Sequence, residues 1–174
     1  IIAKDMAITY KLLKYLNSAY FGRVSQLKSI RQAIAYLGER GIKLFVSLIA
    51  TSQLADDKPN ELVRLSIIRA RFLEQLAGEV GRDPGELFML GLFSMIDAML
   101  DYPMGELVKQ LPVNDSIRLA LVDGEGPLSK YLRFVLAMEQ GNWSSFSALQ
   151  QGIGIDESTS IRFYMDAVGW ADSL

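Results

Sequence analysis

The residues able to do chemistry in this chain are carboxylates, hydroxyls, lysines and arginines, because its 174 residues include no histidine and no cysteine. Imidazole is the commonest general base near neutral pH and the commonest nitrogen ligand for transition metals. Thiolate is the soft ligand and the sulfur nucleophile. A Ser-His-Asp triad, a Cys-His dyad and a Cys/His zinc site are therefore excluded for this chain on its own. Among what remains, Asp97 and Asp101 stand at i and i+4, a spacing that puts two carboxylates on one helical face, where they can hold magnesium through water. Two acids alone make a weak site, and the competing role is a solvated helix end. Asp123-Gly124-Glu125-Gly126 is too short for a calcium loop, whose ligands span twelve positions, and reads as a turn. Gly152-Ile153-Gly154 lacks a third glycine and a preceding strand, and no glycine leads into the lysine-hydroxyl pair of a phosphate loop.

Two further groups stand out. Arg69 and Arg71 lie among apolar residues of a long helical pattern; one is expected to pair with an acid such as Asp97 or Glu74, and the other to lie at the surface. A cleft arginine gripping an anion is the rival role for either. Trp143 and Phe146, preceded by Gly141-Asn142, form an aromatic corner. The ordinary role of such a corner is satellite core beneath a loop, and the other is an interaction anchor. With so few catalytic types, the chain reads as a binding module.

The elements that must position these residues are helical from end to end. Ile8, Leu12, Leu16 and Ala19 form one apolar stripe, closed at Gly22. Ser29 and Gln32 make a capping box before Ile30, Ala33, Ile34 and Leu37, and a third helix is expected over 39–55. After the turn Asp56-Asp57-Lys58-Pro59, a long helix turns Leu62, Leu65, Phe72, Leu76 and Val80 inward, with Arg64, Arg71 and Glu74 towards solvent. Asp83-Pro84-Gly85-Glu86 is a strong helix start, with an acidic cap, proline at the first position and glutamate at the third. It opens the most apolar helix, which the pattern carries through Phe88, Gly91, Leu92 and Met95 to Met99. Shorter helices are expected near 104–111, 115–122, 128–140, 144–151 and 157–171. No alternating strand of five or more residues is present.

Composition sets the remaining bounds. Half the residues are hydrophobic and the mean hydropathy is +0.18, which fits a filled globular fold. A net charge of −2 and a pI near 5.2 argue against a broad nucleic-acid footprint. The longest nearly uncharged stretch, Leu87 to Leu100, is 14 residues, short of a bilayer span. No membrane or nucleic-acid partner is expected. The absence of cysteine fits a reducing compartment.

Asn17-Ser18-Ala19-Tyr20-Phe21-Gly22, followed by Ser29-Ile30-Arg31-Gln32-Ala33-Ile34-Ala35-Tyr36-Leu37-Gly38, resembles the HDOD family, the HD-related output domains of bacterial signalling proteins. The resemblance implies an all-α, HD-domain-like multi-helix bundle. It also implies one domain over 1–174, with N-terminal helices over 1–55, HD-like core helices over 56–111 and short C-terminal helices over 112–174. The pattern begins inside a helix, so the chain is read as an N-terminally truncated piece of a longer protein. Leu37-Gly38-Glu39-Arg40, Lys58-Pro59 with Glu61-Leu62, the run Gly91 to Ala98, and Glu139 with Gly141-Asn142-Trp143 look most like the subset that follows an EAL-type cyclic di-GMP phosphodiesterase-like domain. In other members the upstream module is a phosphorelay receiver.

The same resemblance locates what is missing. HD enzymes gather metal between a histidine on the long helix and a His-Asp pair on the central helix. By pattern, Leu65 stands at the first position and Ser94 and Met95 at the pair. Leucine and methionine do not ligate a hard divalent cation, and serine is a poor substitute for histidine. The expectation is an apolar helix contact in place of a metal centre, with no catalytic residue, no metal and no cofactor. Asn17, Ser18, Phe21, Gly22, Arg69, Asp97 and Trp143 are the candidate signature or interaction positions. The first four read mainly as a helix end. The implied function is a non-catalytic, cytoplasmic output or scaffold domain that binds protein, including its own upstream domain. The alternatives are a divergent metal-dependent phosphohydrolase using Asp97, Asp101 and serine, and a nucleotide sensor that binds without hydrolysis through a basic pocket around Arg69.

Overall fold

The computed structural model describes residues 59–172, except 110 and 112. The helices expected over 1–55, and with them Asn17, Ser18, Phe21 and Gly22, lie outside the described residues. Within these limits the chain is all-α: eight helices and no strand among the described residues. None of these helices is long and apolar enough to cross a membrane.

The longest helix, α1 (Pro59–Glu79), begins at a proline and carries Glu61 in its first turn, where an acid complements the helix dipole. Ile68, Phe72, Leu73, Leu76 and Ala77 form its buried side. It ends in a left-handed residue, Gly81 (φ +63°), with Arg82 N–H donating back to the Ala77 carbonyl at 3.0 Å. That closure satisfies a terminal carbonyl and reverses the chain. Asp83 then caps α2 (Pro84–Phe93) by accepting from Glu86 N–H at 2.7 Å. The connection is only four residues long, so α2 folds back along α1.

Gly91 sets how closely the two helices meet. A Cβ at this position would lie 2.5 Å from the Ala70 nitrogen and 2.5 Å from the Arg69 carbonyl carbon. Only a residue without Cβ allows this backbone-on-backbone approach. Leu87, Met89, Leu90 and Phe93 fill the rest of the crossing, and all are buried.

The apolar pattern predicts one helix through to Met99, but the structure breaks it. Ser94 ends α2 by donating its Oγ–H to the Gly91 carbonyl at 2.7 Å, and Met95 leaves helical geometry at φ −123°, ψ 8°. Serine competing for a backbone carbonyl is the local cause. The chain restarts as α3 (Ile96–Leu100), closed by Asp101 in the left-handed region at φ 50°. The helix expected over 104–111 is also shorter, α4 (Met104–Leu107). α5 (Asp115–Val122) is capped by Asn114, which accepts from Ile117 N–H at 2.9 Å. The same side chain donates to Glu86 Oε1 at 2.6 Å, tying the start of α5 to the start of α2.

The remaining helices are α6 (Ser129–Glu139), α7 (Trp143–Ile153) and α8 (Glu157–Asp172). Phe134 of α6 joins them to α1, stacked on Phe146 at 5.0 Å and tilted against Phe72 at 6.0 Å. On its other side Phe72 meets the edge of Tyr164 on α8 at 5.9 Å. Burial of each such ring contributes about 1.5–3 kcal/mol, so Phe72, fully buried between α6 and α8, is the centre of the core.

Candidate functional site

The most polar feature of the interior sits where α1 crosses the break between α2 and α3. Arg69, on the face of α1 that meets Gly91, is 6% exposed. Its guanidinium forks onto Glu139, the last residue of α6. Nε donates to Oε1 at 3.0 Å and Oε2 at 3.1 Å, and Nη2 donates to Oε2 at 2.7 Å. Nη1 turns to the helix break, donating to Ser94 Oγ at 3.1 Å and to Met95 Sδ at 2.8 Å. The two charged side chains are 7% and 10% exposed. Burying a cation in an apolar core is tolerated only with such pairing and hydrogen bonding.

Each member is placed by its own local cause. The close crossing at Gly91 brings the α1 backbone against α2, and the serine-terminated end of α2 presents Ser94 Oγ beside it. Glu139 is fixed by the corner that follows it. Gly141 takes φ +64°, Asn142 N–H donates to the Ala137 carbonyl at 2.9 Å, and the Asn142 side chain caps α7 by accepting from Ser145 N–H at 3.2 Å. Tyr164 of α8 borders the pair. Burial, reinforced by the nearby Glu139 carboxylate, raises its phenol above the ordinary tyrosine value of 10.0, with Arg69 and Arg64 opposing.

Several expectations change. Arg69 is not a surface arginine, and Asp97 is not its partner. Arg71 does pair with Glu74, Nη1 to Oε2 at 2.6 Å. Yet neither is a solvent-side charge: their side chains are 18% and 9% exposed, under Trp170, whose ring lies 5.8 Å from the Arg71 guanidinium carbon. The helix is simply covered on more of its circumference, by α8 as well as α2. Phe146 is core as expected, but Trp143 is 61% exposed and touches Phe146 only edge-on at 5.9 Å.

Of the positions implied to be vacated, Leu65 is half-buried one turn before Arg69, and Ser94 and Met95 are half-buried at the helix break. The centre is not the apolar contact expected from the sequence. The Arg69 guanidinium and its ion pair with Glu139 lie there among the described residues. Among the described residues, Ser94 Oγ and Met95 Sδ face the fixed positive charge of Arg69, which opposes a second cation beside them. Asp97 is half-buried in the first turn of α3, and Asp101 is exposed past its end, so the two do not form a continuous helical face. No cluster of three or more His, Cys, Asp or Glu placed to hold a metal is found among the described residues.

Sequence reasoning missed Glu139 as a site residue, although it named Glu139 as a cue beside Gly141-Asn142-Trp143. The available signal was an acid in an otherwise apolar helix end directly before a glycine turn.

The chain is similar to known proteins along its whole length. The HDOD domain model matches residues 1–104, so Arg69, Ser94 and Met95 fall within the matched region and Glu139 beyond it. The chain is 33% identical, over all of its length, to cyclic di-GMP phosphodiesterase CdgJ of Vibrio cholerae, of which it covers 41%. It is 30% identical, over 99% of its length, to the Bacillus subtilis protein YuxH, of which it covers 43%. The chain thus spans less than half the length of both relatives. No solved structure matches it significantly. A family match over more than half the residues, together with a relative one-third identical from end to end, makes this chain a member of the HDOD domain family.

Proposed function

We propose that the chain is a non-catalytic signalling module, a helical scaffold that binds protein and works beside another domain in a cyclic di-GMP or response-regulator pathway. The observation that carries this reading is the Arg69–Glu139 fork against Ser94 and Met95. A hydrolase of this fold needs a polarised water and an electrophilic cation at the helix crossing. Here the cation is a side chain held by Glu139, Ser94 and Met95, and it does not exchange ligands as a metal ion does. CdgJ is named as a phosphodiesterase. On this reading that activity belongs to the part of CdgJ outside the matched region, and this chain's contribution is positional, through helix packing. Its setting is the cytoplasm, with no cofactor.

The test is direct. Purified chain is analysed for divalent metals by mass spectrometry, assayed for phosphodiesterase activity alongside Asp97→Ala, and titrated with cyclic di-GMP by calorimetry. Metal far below one per chain, no turnover and no binding heat are expected. Stoichiometric metal, or turnover lost in Asp97→Ala, overturns the reading. Saturable cyclic di-GMP binding replaces it with a nucleotide sensor.

A further inference from the structure

Sulfur chemistry in this chain rests wholly on methionine, because it has no cysteine. A thioether is a weak hydrogen-bond acceptor, and oxidation to the sulfoxide turns an apolar side chain into a polar one. The surroundings decide what that change does. Met89 is fully buried, and Met104 and Met138 pack against the hydrophobic core, so a sulfoxide oxygen there meets hydrocarbon. Met165 is 63% exposed, and water solvates its oxygen. Met95 differs from all of these. It is half-buried where α2 gives way to α3, and its Sδ already accepts from Arg69 Nη1 at 2.8 Å. Among the described residues it is the one methionine sulfur that faces a charged donor.

We propose that Met95 is a reversible oxidation site, at which a hydroperoxide makes the sulfoxide and Arg69 holds the new oxygen. The sulfur lone pair that does not face Nη1 attacks the terminal oxygen of the hydroperoxide. The S–O bond forms as the O–O bond breaks, and the departing hydroxide or alkoxide takes up the hydroxyl proton and leaves as water or alcohol. Sulfur loses two electrons and the peroxide gains them. Two thiols, acting through a sulfoxide reductase, reverse the step and give back the thioether with one disulfide and one water. A polar oxygen in the interior costs free energy unless a donor meets it. The guanidinium is such a donor, and its charge strengthens the bond it makes to an oxygen. That oxygen does not fit between Sδ and Nη1 at their 2.8 Å separation, so the sulfur gives way and the oxygen takes its place against Arg69. Met95 lies outside the helical geometry on either side of it, and the shift alters the connection from α2 to α3 without unwinding either helix. The fork onto Glu139 uses Nε and Nη2 and stays in place. This inference does not depend on the domain being non-catalytic.

Treatment of the folded chain with hydrogen peroxide tests it, with each methionine followed by fragment mass mapping and stability by circular dichroism melts. Subtracting the melting shift of an equally oxidised Met95→Leu variant isolates the part due to Met95. Met95 is expected to gain a single oxygen while the chain stays folded, and sulfoxide reductase with dithiothreitol to remove it. In Arg69→Leu/Glu139→Leu, which takes the guanidinium away, the melting temperature lost through Met95 oxidation should be at least about twice that of wild type. Should the double variant not fold, Met138, isolated in the same way through Met138→Leu in the wild-type chain, supplies the comparison, because its sulfoxide faces the core. Met95 left unmodified once Met165 is fully oxidised overturns the proposal. So does a sulfoxide that the reductase does not remove, or a wild-type loss through Met95 greater than half that of the comparison.

Discussion

Removing Glu139 should cost far more than removing a surface carboxylate. In Glu139→Ala, three of the five short contacts of the Arg69 guanidinium vanish, those at 2.7, 3.0 and 3.1 Å, and only Ser94 and Met95 remain. The cation, 7% exposed in the native pair, loses its counter-charge in a setting that offers little hydration in return. Leaving one member of a buried pair uncompensated costs about 3–5 kcal/mol. That is a large share of the roughly 5–15 kcal/mol by which a domain is stable. Asp172 provides the contrast. Its pair with Arg64 is 38% and 53% exposed, so Asp172→Ala should cost at most about 1 kcal/mol. Urea unfolding with the slope held constant measures both. The double variant Arg69→Met/Glu139→Leu removes both charges and should recover most of the loss, since a buried pair is often no better than an apolar one of similar volume. The reasoning is refuted if Glu139→Ala falls within about 1 kcal/mol of Asp172→Ala, or if the double variant is as unstable as the single one.

Two glycines should respond with opposite signs. Gly91→Ala forces a methyl against the Ala70 and Arg69 backbone and should destabilise by about 1–3 kcal/mol or more; Gly78→Ala meets nothing within 4 Å and should stabilise α1 by about 0.5–1 kcal/mol. Thermal melts of the two variants check both signs. The raised Tyr164 phenol predicts an alkaline effect. Because the folded state holds this proton more tightly than the unfolded one, its contribution is full below the ordinary tyrosine pKa and is lost as pH rises through the folded value. Tyr164→Phe should flatten that alkaline loss in unfolding measured as a function of pH, and an unchanged slope contradicts it.

Local rules carried much of the architecture. The start of α2 was legible in Asp83-Pro84-Gly85-Glu86 because a cap, a proline and an acid act within one turn. α5 falls on its expected residues, and α6, α7 and α8 within two of theirs. The Arg71–Glu74 pair was within reach for the same reason, since its partners are three residues apart. The break at Ser94 was less accessible. Gly91 to Met99 is almost uniformly apolar, and hydrophobicity alone does not reveal a hydroxyl that caps the helix from inside the pattern. The exposure of Trp143 was equally hidden, because the corner's composition does not say which of its two rings faces inward.

By itself the sequence determined the helical class, the lack of imidazole and thiol chemistry, and the presence of leucine, serine and methionine at the positions implied for metal ligands. Those are properties of residue type and short spacing. Tertiary structure alone decided what fills the space beside Ser94 and Met95. Arg69 and Glu139 are 70 residues apart, and nothing local couples them. They meet because Gly91 lets α1 and α2 touch, the α6–α7 corner sets Glu139 in place, and a cation enclosed there must find an anion. The expected apolar contact became an ion pair because burial, which is not written in any short stretch of sequence, left Arg69 no water.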